Sequence, residues 1–424
     1  MRRTLIIGLG STGRDICDDI LRRILWSSGN NTLDKVPWVD VRVLETEQKD
    51  GLPSKEHQKY VDLVPRQQDV ERMMNHPGEF SDSLDLTRWS DGDLMRKVPN
   101  IARGAGGMRM AGRMAFFEPN VFARVRESLR DALVQLNGVD IAKIRRVMSN
   151  PPSALSLETS TQVLVVGSVG GGTASGCFID VAYLVRQIAS DLGYPIDLNG
   201  YFTLPALATG DNILKANTFA ALLECNHFLT TGVTYRTRFP DSNGKDYTNS
   251  GLPFDRTSLA QTPTGMPYSE FKTLIGDYLY SLAVSVDFSV IAGRAIDGAV
   301  FMSGVDKVGS TRRWATIGIR ALESPADRLV EGCSLRLVKN TLDHLLAPPH
   351  EIAPVSRLST TGLDAGSLKK QLETEALKSE IAARIGEQSE VIPAQIALAS
   401  TLVQNPDGRS GLLGMPQGHV ATRL

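Results

Sequence analysis

Cysteine is scarce in this chain: four residues in 424, at Cys17, Cys177, Cys225 and Cys333. No two of them stand as Cys-x-x-Cys. That excludes a zinc knuckle and a disulfide framework, and each is read as a buried or half-buried free thiol. Histidine is scarce too, and His57 and His76 have no partner at ligand spacing, so histidine metal ligation is not expected. No apolar run reaches the ~18 residues of a membrane span. The apolar stretch behind Met1 runs straight into glycines and is too short for a secretory signal. An excess of either charge is missing as well. Lys+Arg is 46, Asp+Glu is 47 and the net charge is -1, which gives no electrostatic footprint for DNA or RNA. A reducing, cytoplasmic setting is the expectation. The last absence is a Gly-Lys-Ser/Thr triplet, so the glycine loops carry no Walker lysine.

What is there is ordinary globular composition, 42% hydrophobic and 22% charged, in a chain long enough for about two or three domains. Thr4–Ile7 reads as a short buried strand, and Val39–Leu44 as a second one ending in Glu45-Thr46-Glu47. Between them Ile16, Ile20, Ile24 and Leu25 recur at helical spacing. Residues 50–100 are polar and read as an insertion of irregular structure and short helices. A helix follows Pro119, with Phe122, Val125, Leu129, Leu133 and Leu136 on one face. Gln162–Val166 is the clearest strand, and an amphipathic helix behind it ends near Leu192. A strand over Asp197–Leu204, a helix over Asn212–Leu229, a loop over 235–253, a strand over Phe254–Ala260 and a helix over Tyr268–Ala283 follow. Trp314–Leu322 reads as strand and Leu329–Leu346 as helix. Strands alternating with helices predict an α/β fold with a mostly parallel sheet.

Three glycine clusters are expected where a strand gives way to a helix: Gly8-Leu9-Gly10-Ser11-Thr12-Gly13, Gly104-Ala105-Gly106-Gly107, and Gly170-Gly171-Gly172-Thr173-Ala174-Ser175-Gly176. At such a turn several backbone N–H groups share one space, and the helix dipole adds positive potential. Glycine lets the backbone close on an anion because no Cβ intervenes. Three such loops facing one crevice would cradle a polyphosphate. The first loop alone fits a dinucleotide fingerprint, with Glu45 ending the second strand, so an NAD-dependent oxidoreductase is one reading. Against it, a nicotinamide site has no use for the third, richer loop.

The third loop resembles the GGGTGSG signature of tubulin and FtsZ, departing only at Ala174. The first loop resembles the first nucleotide loop of FtsZ, with Asp15 where asparagine is usual. Leu44-Glu45-Thr46-Glu47 resembles its Asn-Thr-Asp segment, and Gly104-Ala105-Gly106-Gly107 with Gly112-Arg113 fits its GAGGxxxxGR pattern. Order and spacing match over about residues 1–230, so the chain resembles the tubulin/FtsZ superfamily. Ala216-Asn217-Thr218-Phe219 and the residues behind it resemble the divergent bacterial tubulin-like proteins more than FtsZ proper.

The resemblance implies a Rossmann-like nucleotide-binding domain over residues 1–265, including the 50–100 insertion. A central helix and catalytic-type loop over 266–299, a smaller α+β domain over 300–346 and a C-terminal helix and tail over 347–424 would follow. It also implies roles. Gly8, Gly10, Ser11, Thr12 and Gly13 would serve phosphates and sugar; Thr46 and Glu47 would lie near the γ-phosphate and its Mg2+, with Glu47 in the metal shell. Gly106, Gly107 and Arg113 would border the γ-phosphate, and Gly170, Gly171, Gly172, Thr173, Ala174, Ser175 and Gly176 would wrap the α- and β-phosphates. Pro205 would begin the ribose-facing loop, where the family's acidic and arginine positions are Thr209 and Ile213. The base would sit near Asp15 and Tyr268, which could stack on it. Guanine (GTP/GDP) is the implied base, with adenine (ATP) the alternative.

The implied activity is hydrolysis at the junction of a head-to-tail homopolymer, where carboxylates of one subunit polarise water at the next subunit's γ-phosphate. Asp287 and Asp297 are the candidates, but the family's flanking asparagine and final aspartate are here Ser285 and Val290. That departure keeps a second reading open: a non-polymerising nucleotide switch that recruits a partner, for example in defence, through the insertion or the C-terminal tail.

Overall fold

The computed structural model describes residues 1–28, 36–47, 59–76, 104–147, 156–205, 211–230, 232–284, 314–317 and 336. Apart from Arg336, all belong to the compact unit Met1–Arg320. Asp287, Asp297, Cys333, Trp89, most of 300–346 and all of 347–424 lie outside the described residues.

β1 (Arg3–Leu9) runs directly into α1 (Gly10–Ser28), and β2 (Val39–Glu45) follows. Next come β3 (Lys59–Asp62) and α2 (Gln67–Asn75). α3 (Arg109–Phe117), α4 (Pro119–Asn137) and α5 (Ile141–Val147) lead to β4 (Thr161–Ser168), α6 (Thr173–Leu192), β5 (Ile196–Leu204) and α7 (Asn212–Phe228). The hairpin β6 (Tyr235–Thr237) and β7 (Tyr247–Asn249) precedes β8 (Arg256–Gln261), α8 (Tyr268–Val284) and β9 (Trp314–Thr316).

Seven strands form one sheet in the order β3-β2-β1-β4-β5-β8-β9, every pair parallel. The α/β class with a mostly parallel sheet is therefore observed. A parallel sheet covered on both faces needs apolar residues at successive positions. β1 shows why the runs are continuous: Leu5, Ile7 and Leu9 enter one core and Ile6 the other. The first core holds α3, α4 and α6; the second holds α1 and α8. α4 starts at Pro119, with the Glu118 carboxylate accepting from Asn120 N and Val121 N, a capped start that the proline already marks.

Several sequence expectations shift. The 50–100 segment holds a strand of the main sheet: β3 pairs with β2, Leu44 opposite Val61. Four residues, two of them charged, leave little alternation to read at a sheet edge. A helix, α3, precedes Pro119. The strand read as Phe254–Ala260 is Arg256–Gln261; just before it, Asp255 bonds Leu198 through both its backbone N–H and its carboxylate. The 235–253 loop contains the β6–β7 hairpin. In the segment read as strand up to Leu322, of which 314–317 are described, Trp314–Thr316 pairs with β8. None of the described helices is long and apolar enough to cross a membrane.

Candidate functional site

β1 and β4 lie side by side at the centre, Leu9 opposite Gly167. From β1 the chain builds outward to β2 and β3; from β4 it builds the other way, to β5 and β8. The carboxyl ends of β1 and β4 thus flank the point where the strand order reverses, the usual crevice of an open parallel sheet. The first and third glycine loops follow those two strands.

The loops meet. A methyl group on Gly172 would stand 2.8 Å from Met108 N, 2.9 Å from Ala105 Cβ and 3.0 Å from the Gly107 carbonyl carbon, so the third loop rests on the second with no side chain between. A Cβ on Gly10 would lie 3.2 Å from Thr173 Cβ, which brings the first loop onto the third. The second loop needs left-handed backbone at three positions, with φ of 104° at Gly104, 53° at Gly106 and 77° at Gly107. One threonine ties the floor: Thr46 Oγ1 accepts from Ala105 N at 3.2 Å and lies 2.6 Å from Thr173 Oγ1. Thr46 and Thr173 are both buried. No side chain caps the N-terminus of the 20-residue helix α6, so its first N–H groups and its dipole suit an anion.

The remaining site residues are placed as follows. Gly8 packs against Cys17 Sγ and Gly13, and Gly13 against Val166 O, fastening α1 to the ends of β1 and β4. Ser11 is exposed, and Glu47 is exposed beside Gly104. Gly106 is exposed and Gly107 half-buried. Gly170 lies against Leu214 and Thr218 of α7, and the Gly171 carbonyl accepts from the Ser175 hydroxyl. Ala174 is buried, and Gly176 is pressed onto the α3 backbone at Arg109 and Arg113. Pro205 is half-buried behind β5. Tyr268, 39% exposed, opens α8; its hydroxyl reaches Thr12 Oγ1 at 3.2 Å and Thr203 Oγ1 at 2.9 Å.

Arg113 is turned elsewhere. Its Nη2 donates to Asp180 Oδ1 at 2.8 Å, and its guanidinium lies 5.5 Å from the Phe117 ring centroid. The Tyr235 hydroxyl donates to the same Asp180 oxygen. Burial pushes the Asp180 carboxyl up, while the guanidinium and the tyrosine hold against it.

Four further side chains stand beside the cup. The Lys272 ammonium pairs with Asp15, and Arg14 donates to the same carboxylate at 3.1 and 2.9 Å. Burial would raise the Asp15 carboxyl, but Lys272 and Arg14 outweigh it and hold it below the usual carboxylate range. Arg14 also faces Glu45 at 3.5 Å, and Glu45 Oε1 accepts from Thr46 N and Glu47 N. Burial nevertheless raises the Glu45 carboxyl, against those N–H groups and Arg14. Lys272 is one helical turn from Tyr268, a spacing that puts both on one face and could have revealed it. The fourth, Asn217, bonds two glycine loops at once: its Nδ2 donates to Gly107 O at 2.7 Å and to Gly170 O at 3.0 Å.

The family model described as "Tubulin like" matches residues 5–343, most of the chain. No curated protein matches. Among solved structures, CetZ from Methanosaeta thermophila strain DSM 6194 is 14% identical, with a TM-score of 0.37 over 72% of this chain and 61% of that one. CetZ2 from Haloferax volcanii, solved as a GTPγS-bound protofilament, is 16% identical, with a TM-score of 0.33 over 69% and 62%. TubZ from Clostridium botulinum phage c-st is 12% identical, with a TM-score of 0.32 over 67% and 61%. The chain spans less than two thirds of the length of each of these three.

Proposed function

Since the chain belongs to the tubulin-like family, we propose that it binds GTP in the three-loop cup, assembles head to tail and hydrolyses the nucleotide at the subunit junction. The observation that carries the reading is the meeting of Gly10, Gly104–Gly107 and Gly172–Thr173 in one place. A cup walled by backbone fits a polyphosphate: there is no room for a side chain at Gly172, and the α6 N-terminus is left uncapped. Arg113 stands behind Gly112 with its guanidinium paired to Asp180. Glu47 is the carboxylate that would face Mg2+, and an ion held largely by phosphates and water needs no larger protein set. Such an ion would neutralise charge on the terminal phosphate.

This chain's own residues then divide the work. The N–H groups of the loops and α6 bind the phosphates. Thr46 and Thr173 keep the second and third loops in register. Tyr268 and Asp15 border the base, with Lys272 5.5 Å from the tyrosine ring centroid. Asp287 or Asp297 of the neighbouring copy would position water, a role carried by location and electrostatics rather than covalent chemistry. Ser285 and Val290, at the departures from the family motif, favour the second reading, a partner-recruiting switch with little turnover.

The test is equilibrium binding of GTPγS, GDP, ATP and NAD(H) to the full chain, with turnover and pelleting measured against protein concentration. Turnover per chain that rises with concentration, with sedimentable polymer, is expected. Nucleotide binding without either selects the switch. NAD(H) binding without triphosphate binding overturns both.

A further inference from the structure

We propose that Asn217 is a positioning residue that sets how far the second and third glycine loops stand apart, and with it the preference for a triphosphate over a diphosphate. The inference rests on the nucleotide reading above and deepens it.

Asparagine is a poor helix former, yet Asn217 lies inside α7. Its place is explained by what its side chain does. The two oxygens it meets, Gly107 O and Gly170 O, are backbone carbonyls from different loops. Carbonyl oxygens only accept, so the amide nitrogen must face them, and its two hydrogens serve one each. No other neutral side chain of this size offers two donors from one atom. The amide is half-buried at the rim, whereas Thr46 performs the corresponding tie at the buried floor. The second loop is therefore held at both ends of its contact with the third.

The consequence is unequal. The third loop is braced by β1 through Gly167 and by α3 through Gly112 and Gly176. The second has left-handed backbone at three glycines and is not continuous with a strand or helix at Gly104–Gly107, so it is the part that loses its place when the rim tie is cut. In the proposed site that loop faces the terminal phosphate. Its displacement costs a triphosphate more than a diphosphate.

Asn217→Asp keeps the shape but sets a carboxylate against two carbonyls; Asn217→Ala removes the donors and adds no charge. Dissociation constants for GTPγS and GDP, both with Mg2+, are measured for the full chain and each variant, alongside the nucleotide-free unfolding midpoint. Asn217→Asp is expected to weaken GTPγS about tenfold and GDP about threefold or less, with Asn217→Ala shifting the ratio in the same direction. If Asn217→Asp does not fold, Asn217→Ala decides. A ratio that stays constant, whether or not both affinities fall with the unfolding midpoint, makes Asn217 a scaffold residue and overturns the inference. A wild-type chain that binds neither nucleotide overturns the nucleotide reading, and this inference with it.

Discussion

The two sides of the candidate cup are assembled by different means. On the α3–α6 side the fastening at the loops is backbone against backbone, with Gly112 on the Gly172 carbonyl, Gly176 on the Arg109 carbonyl and Gly172 on Met108 N, and the ion pair of Arg113 with Asp180 lies behind them. On the α1–α8 side it is a string of ionised side chains: Lys272 to Asp15, Asp15 to Arg14, Arg14 to Glu45, and Glu45 to the N–H groups of Thr46 and Glu47. The first kind of contact is insensitive to salt and pH but intolerant of a single methyl group. The second tolerates changes of shape and responds to the solvent. The α3–α6 side is thus rigid mainly by sterics, and the α1–α8 side is adjustable by charge.

The sharpest way to break this contrast is Gly112→Ala. Helix propensity alone predicts a gain of about 1 kcal/mol, because Gly112 lies within α3. The added Cβ would stand 2.8 Å from Thr173 Cα and closer still to the Gly172 carbonyl oxygen. A net loss of about 3 kcal/mol in urea unfolding is expected. A neutral or stabilised variant would show that the interlock can give way.

Next in size is Asp18→Asn, which probes the charged side. Asp18 is buried on α1, and burial pushes its carboxyl up to about 6, with Arg14 and Arg22 opposing and Asp15 reinforcing. The folded chain holds this proton more tightly than the unfolded one. Stability therefore falls as pH rises from about 4 to about 6, and the loss is complete above that. Asp18→Asn is expected to gain about 2 kcal/mol at pH 8 and nothing at pH 4, since each tenfold change in proton affinity on folding is worth about 1.4 kcal/mol. Equal effects at both pH values would refute the assignment. The smallest effect belongs to Lys272→Ala: below about 1 kcal/mol in low salt and absent in 1 M salt, because the Asp15 carboxylate is partly open to water. A salt-independent loss would move this pair into the buried class.

The same contrast explains what the sequence made legible. Glycine clusters are punctuation that survives reading in one dimension, and β1 and β4 carry near-continuous apolar runs because both sheet faces are covered, while β2 alternates and buries Asp40 and Arg42 as an ion pair. The meeting of the first and third loops at one crevice then follows from parallel topology. The charged side is a matter of which long side chains find each other: Asp15 and Lys272 are 257 positions apart. Nothing local marks such a pair. Arg113 is the reverse case: the motif around Gly112 makes it legible in the sequence, but its partner is not, for the guanidinium pairs with Asp180, 67 positions away on the facing helix. β3 escaped notice because an edge strand of four residues carries almost no periodic signal.

The position of two thiols follows from the same packing. Cys17 lies directly under Gly8, and the Cys177 thiol donates to the Thr173 carbonyl at 3.2 Å, so each sulfur sits beneath one of the glycine turns. Both are buried, and burial pushes both thiols far from thiolate formation. An alkylating reagent reaches either sulfur only when the packing around it opens. The protein therefore carries its own pair of chemical clocks, one in each core beside a glycine turn, whose labelling rates report separately how often the packing beneath the first and third loops opens.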